Sequence, residues 1–259
     1  MEKKKGISGS TLKMIAIVTM LIDHIGAAVL ARLLMVNGLG ELDQTNTDAI
    51  MQWLSANGAL YGTYTVMRMI GRVAFPIFCF LLVEGFLHTH DVKKYAMRLG
   101  LFALLSEIPF DLAFSSKILE FNYQNVFFTL FIGLLTMIAY RAVEEKEEWG
   151  QAWKVILYIL IVAAGMALAY FLKTDYAEKG VFCIMVLYIF RKKKMWQLIA
   201  GCASFIWETP ALFGFIPIAF YNGTHGWKMK YFFYIFYPAH LLILYLLCYF
   251  MGISGYSAV

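Results

Sequence analysis

The sequence predicts an all-α fold, a polytopic transmembrane helical bundle of about nine spans in a single domain over residues 1–259. Three observations carry this. The chain is 61% hydrophobic and only 15% charged, with a mean hydropathy of +0.67. Runs of about 20 mostly apolar residues, the length a helix needs to cross a bilayer, follow one another. Basic residues also gather in alternate connections, as the positive-inside rule requires. An outer-membrane barrel would instead show short alternating segments, which are absent. The net charge of +5 is explained by topology and calls for no nucleic-acid partner.

Taken in order, spans are expected at 12–35, 70–88, 94–114, 123–142, 152–172, 176–190, 195–208, 209–222 and 231–251. The first follows Lys3, Lys4 and Lys5, as a signal peptide would. Its apolar run is too long and ends without a small-residue cleavage pattern, so it is read as a retained span. The segment from Ala49 to Met67 is rich in Gly, Ser, Asn and Thr and is expected to lie at the interface or partly buried on the outer side. The two short segments around Glu208, Pro210 and Pro217 are expected to form a broken pair or a re-entrant element, which protein or water must surround. With the N-terminus cytoplasmic, the inner connections hold Lys93, Lys94, Arg141, Lys146, Lys154, the run Arg191–Lys194, Lys228 and Lys230. The outer ones hold Lys117, Lys173 and Lys179, and the C-terminus lies outside.

The chemistry is concentrated in Lys13–His24, which places Asp23 and His24 inside an apolar run. Ionisable groups in hydrocarbon are costly, and they mark pathways or reactions. Lys13 precedes His24 by eleven positions, about three whole turns, so the two share a helix face roughly 16 Å apart along the axis. Asp23 and His24 point about 100° apart, so each needs a partner from another helix. His240, in Tyr-Pro-Ala-His at 237–240, reaches a similar depth in the last span and is the candidate partner for a shared centre. Histidine can accept and return a proton near neutrality. A histidine that merely bonds a backbone carbonyl and holds helices together is the structural alternative.

A second polar group gathers on the outer side: Arg68, Arg72, Glu107, Asp111, Asn125, Asp175, Tyr176 and Glu208. Arg72 and Asp111 fall deep enough to need partners or a cavity. Glu84, His88, Arg98 and the loop at 221–228 form an inner group. The four cysteines sit in apolar stretches without metal spacing, and no HExxH, CxxC, GxSxG or Walker sequence occurs, so no metal site is expected. Polar groups at both faces and the midplane suit a reaction that spans the membrane. They suit a secondary transporter or proton-coupled permease equally well.

These residues resemble the TraX family. The resemblance rests on Lys-x-Ile-Ala-x-x-x-Met-x-Ile-Asp-His (13–24), Gly-Arg-x-Ala-Phe-Pro-Ile-Phe (71–78) with a following Glu-Gly (84–85), and Tyr-x-x-Arg-Leu (95–99) leading to Pro-Phe (109–110). It continues with Asp-Tyr (175–176), Tyr-Asn-Gly-x-x-Gly (221–226) and Tyr-Pro-x-His-Leu (237–241). TraX is named for a protein that acetylates the N-terminus of pilin, and the family is similar to the wider group of integral-membrane acyltransferases. The resemblance implies a bacterial inner-membrane acetyltransferase. It would move an acetyl group from cytoplasmic acetyl-CoA to an amine or hydroxyl of an extracytoplasmic acceptor. On this reading Lys13, Arg98 and Lys228 hold the donor. His24 is general base or transient acyl carrier, with Asp23 and His240 supporting it. Arg72, Asp111, Asp175 and Tyr176 receive the acceptor.

Overall fold

A computed structural model describes residues 5–227 and 230–257. Every regular element in it is helical: α1 (Gly9–Ile25), a π-helical turn (Gly26–Leu30), α2 (Ala31–Val36), α3 (Thr47–Gly71), α4 (Ala74–His88), α5 (Val92–Ser115), α6 (Val126–Glu144), α7 (Gln151–Phe171), α8 (Ala177–Ile189), α9 (Lys194–Ser204), α10 (Phe215–Ala219) and α11 (Lys230–Phe250). Short 3₁₀ turns cover Leu39–Glu41 and Thr209–Gly214. Polar side chains set several starts by accepting from orphan amides of the first turn. Ser8 takes the amide of Thr11 at the head of α1, and Asn46 that of Ala49 at α3. Asp91 takes that of Lys94 at α5, and Asn125 that of Phe127 at α6.

Among the described residues, five helical stretches are long and apolar enough to cross a membrane: Gly9–Val36, Thr47–His88, Val126–Glu144, Gln151–Phe171 and Phe232–Phe250. The other expected passes fall on elements of different character. Helix α5 carries five charged side chains (Lys93, Lys94, Arg98, Glu107 and Asp111). Helix α8 has 13 residues. The pair at 195–222 becomes α9, a 3₁₀ turn and the five-residue α10.

The segment left open by the sequence forms one 25-residue helix, α3, and the apolar stretch Thr47–His88 runs through both α3 and α4. Its hydroxyls turn back on their own helix: Thr63 donates to the Ala59 carbonyl at 2.8 Å and Thr65 to that of Tyr61 at 2.9 Å. These two hydroxyls are therefore satisfied within the helix itself. The ladder breaks at Arg72–Val73 because Pro76 has no N–H to offer the Arg72 carbonyl, and its ring crowds that oxygen.

Helix α1 packs against α3 and α4, α5 against α6 and α11, and α8 against α4, α6 and α9. The apolar core runs through all of them, with Leu12 and Ala16 of α1, Ile77 and Phe86 of α4, Ile184 and Leu187 of α8, and Leu241 of α11 almost wholly buried. The start of α1 is held by the loop at 220–227. The Thr224 and His225 carbonyls accept from the amides of Gly9 (2.7 Å) and Ser10 (2.9 Å). Gly226, at φ +69°, lies so close to Ser8 and Ser10 that any side chain would overlap them. This contact fixes the position of Lys13, one turn further on.

Candidate functional site

Two cavities open inside the bundle and meet at a thin wall. The first, about 300 Å³, is lined by Lys13, Thr89, Tyr95, Arg98, Tyr234 and Tyr237 among mainly apolar neighbours. The second, about 100 Å³, is lined by Asp23, His24, Arg68, Arg72, Asp175 and Tyr176 under a set of aromatic rings. Met20, Phe78 and Val126 line both. Lys13 and His24 thus stand on α1 in successive chambers, one on each side of that wall.

His24 and His240 are brought together. His24 Nδ1 lies 2.7 Å from His240 Nε2, and the rings are nearly coplanar, with 2° between their planes. His240 Nδ1 lies 2.8 Å from the Phe236 carbonyl. A carbonyl only accepts, so His240 carries its hydrogen on Nδ1 and presents a lone pair at Nε2. His24 then donates from Nδ1, which leaves its Nε2 as a free base. Phe114 and Tyr237 meet the His24 ring edge-on at 5.4 and 5.9 Å and hold its plane. The π-helical turn at Gly26–Leu30 begins two residues after His24. Such bulges are frequent at functional sites because they re-aim the side chains around them.

Asp23 has a different partner. Its Oδ2 accepts from Arg68 on α3 at 2.7 Å, while its Oδ1 is buried without a hydrogen-bond partner among the described residues. The close approach of α3 to α1 depends on Gly71, where a methyl group would overlap the Asp23 side chain. Arg72 reaches Glu208 at 3.5 Å and the Tyr176 hydroxyl at 3.5 Å. Tyr123 donates to Asp175 at 2.7 Å, and Tyr176 stacks on Phe75 with centroids 3.7 Å apart. Lys173, Tyr176 and Ala177 all have positive φ, so this turn holds strained backbone against the site.

The expected donor group divides. Lys13 and Arg98 share the first chamber, with the Lys13 ammonium 5.2 Å from the centre of the Phe233 ring. The Arg98 Nε is buried with no hydrogen-bond partner among the described residues. Lys228 lies outside the described residues. Asp111 lines neither cavity. It accepts the Glu120 amide at 2.8 Å and pins the connection after α5.

Sequence reasoning passed over Arg68 as a site residue, along with Tyr123 and Arg32. Arg32 is wholly buried and donates to the carbonyls of Ala28 (2.8 Å), Ala113 (2.5 Å) and Tyr256 (2.9 Å), and to Ser116 Oγ (2.9 Å). It ties the π-helical turn to the end of α5 and to the C-terminal segment. A cation within the first apolar run was the available signal for it. Tyr123 gave none.

A profile described as TraX protein matches residues 8–248. The chain is also 26% identical over 278 residues to a probable fimbrial assembly protein FimC, serogroup H1, of Dichelobacter nodosus, an alignment that covers 94% of this chain and 97% of the relative. No solved structure matches. With the profile covering nearly its whole length and the Lys13–His24 motif lining two adjacent cavities, the chain belongs to the TraX family.

Proposed function

We propose that this protein is an integral-membrane acetyltransferase of the bacterial inner membrane, with about nine passes, a cytoplasmic N-terminus and an extracytoplasmic C-terminus. It moves an acetyl group from cytoplasmic acetyl-CoA to an amine or hydroxyl of an extracytoplasmic acceptor. The family supports the pilin-related setting, and the relative's fimbrial-assembly name makes a surface-filament subunit the first acceptor to try. The observation that carries the chemistry is the His24–His240 hydrogen bond, which leaves a free imidazole nitrogen beside the wall between the chambers.

Lys13 and Arg98 supply positive charge to the first chamber and suit the polar, anionic parts of an acyl thioester, whose narrow arm matches the apolar walls. Asp23 Oδ1, without a hydrogen-bond partner among the described residues, suits an N–H or O–H of the acceptor in the second chamber. His24 Nε2 takes the proton from the acceptor as its nitrogen or oxygen attacks the thioester carbonyl carbon. The new bond forms, the C–S bond breaks, and the departing thiolate recovers the proton from His24. His240 holds the reactive tautomer of His24 throughout, as a carboxylate does in hydrolase triads.

The test is turnover of acetyl-CoA by purified protein in detergent, with water or a short peptide as acceptor, beside His24→Ala and Lys13→Ala. The expected result is turnover lost in the His24 variant and weaker donor binding in the Lys13 variant. A wild-type protein that neither binds nor turns over any acyl-CoA would overturn this reading.

A further inference from the structure

The wall between the chambers is built from residues that the proposed chemistry leaves without a task. Met20 belongs to the Lys13–His24 motif and Phe78 closes the motif at 71–78. With Val126, the first residue after the capping Asn125, they line both cavities. The three come from α1, α4 and α6, helices held to one another by the bundle core, so the wall is framed on three sides. Neither Met20 nor Phe78 has a polar atom that could bond a ligand. What they can do is set the width of the passage from Lys13 to His24.

We infer that Met20, Phe78 and Val126 form a gate that limits the acyl group to two or three carbons, which makes Phe78 the residue that determines chain-length specificity. This rests on the acyltransferase reading and deepens it. The second chamber has about a third of the volume of the first and must seat both the acyl carbon and the acceptor atom. Aromatic rings from Phe75, Phe110, Phe114 and Tyr123 close in around that space. A longer chain competes with the acceptor for that small volume, and close-packed surroundings yield little. Apolar pockets separate substrates by about 10- to 200-fold for each methylene they exclude. A gate of this kind therefore rejects a four-carbon chain strongly while admitting acetyl.

The experiment measures kcat/KM for acetyl-, butyryl- and hexanoyl-CoA with the full-length wild type, Phe78→Ala and Met20→Ala in detergent. Each variant is checked by size-exclusion chromatography for the wild-type elution volume. The wild type is expected to favour acetyl over butyryl by at least about tenfold, and Phe78→Ala to raise the butyryl-to-acetyl ratio by a similar factor, with Met20→Ala moving it in the same direction. Should Phe78→Ala not fold, Phe78→Leu and Met20→Ala carry the comparison. The gate is overturned if folded variants keep the wild-type ratio, or if the wild type takes hexanoyl as readily as acetyl. A wild type that uses acetyl-CoA with an unchanged ratio in the variants sinks the gate alone. A wild type inactive with every chain length sinks the acyltransferase reading and the gate with it.

Discussion

His24 Nδ1 and His240 Nε2, 216 positions apart in the chain, share one hydrogen bond of 2.7 Å. The Phe236 carbonyl on the far side of His240 decides which nitrogen holds the hydrogen. Replacing His24 by Ala is expected to lower acetyl transfer by about 10²- to 10⁴-fold, the usual contribution of a positioned general base. His240→Gln keeps a carbonyl oxygen able to accept from His24, whereas His240→Leu does not, so the Gln variant should retain the greater share of activity. Acid conditions protonate the free Nε2 of His24, the atom that must take the acceptor's proton, and the rate should fall on the acid side. Stopped-time transfer assays across pH check all three. Equal activity in His240→Leu and the wild type would remove His240 from the mechanism.

Asp23 and Arg68 meet at 2.7 Å between α1 and α3. Removing one partner of a largely buried pair leaves the other charge uncompensated, and costs of about 3–5 kcal/mol are typical. Asp23→Ala and Arg68→Ala should each lower thermal stability in detergent. The double variant should be less destabilised than the sum of the two, with a coupling of about 0.5–3 kcal/mol. Strict additivity in that cycle would show that the pair does not hold α3 to α1.

Much of this was legible in the sequence, and the reasons differ from residue to residue. Asp23, His24 and His240 stand out because an ionisable group in an apolar run is costly whatever surrounds it. Helix α3 was hidden because composition counts Thr63 and Thr65 as polar, while in the helix their hydroxyls are spent on the Ala59 and Tyr61 carbonyls. The π-helical turn was also hidden, since Gly-Ala-Ala-Val-Leu reads as ordinary helix and the extra residue shows only in the hydrogen-bond ladder. Asp111 looked like a ligand-binding carboxylate from its depth alone. Its bond to the Glu120 amide is a loop contact that no spacing rule reveals.

Gly71 gives a narrower prediction. The Asp23 side chain occupies the space a methyl would need, and the first atoms in the way belong to that carboxylate's own stem. Gly71→Ala must push α3 from α1 or turn Asp23 away from Arg68. A stability loss of about 1–3 kcal/mol is expected from such overpacking, together with a larger loss of activity than a remote substitution of the same cost would give. Thermal unfolding and transfer rates measured on the same preparation separate the two effects. A variant with wild-type values in both would show that the helices have slack at this point.

Arg32 makes a prediction that does not involve the reaction. It is wholly buried, and it donates to backbone carbonyls and to the Ser116 hydroxyl. Two of those carbonyls close the last turn of α5, where a cation also suits the negative end of the helix dipole. A third belongs to Tyr256, and Ser116 in turn donates to the Ser254 carbonyl at 2.5 Å. Arg32→Met keeps the bulk and removes every donor, which strands several buried acceptors at about 1–3 kcal/mol each. The C-terminal segment, fastened here by Arg32 and Ser116, should then loosen before the bundle does. Limited carboxypeptidase digestion should trim Arg32→Met at a concentration that spares the wild type, while Arg32→Lys falls between the two because one ammonium cannot reach all the carbonyls a guanidinium spans. Digestion at the same rate in all three proteins would show that the segment is held by Ile253 and its apolar contacts rather than by the cation.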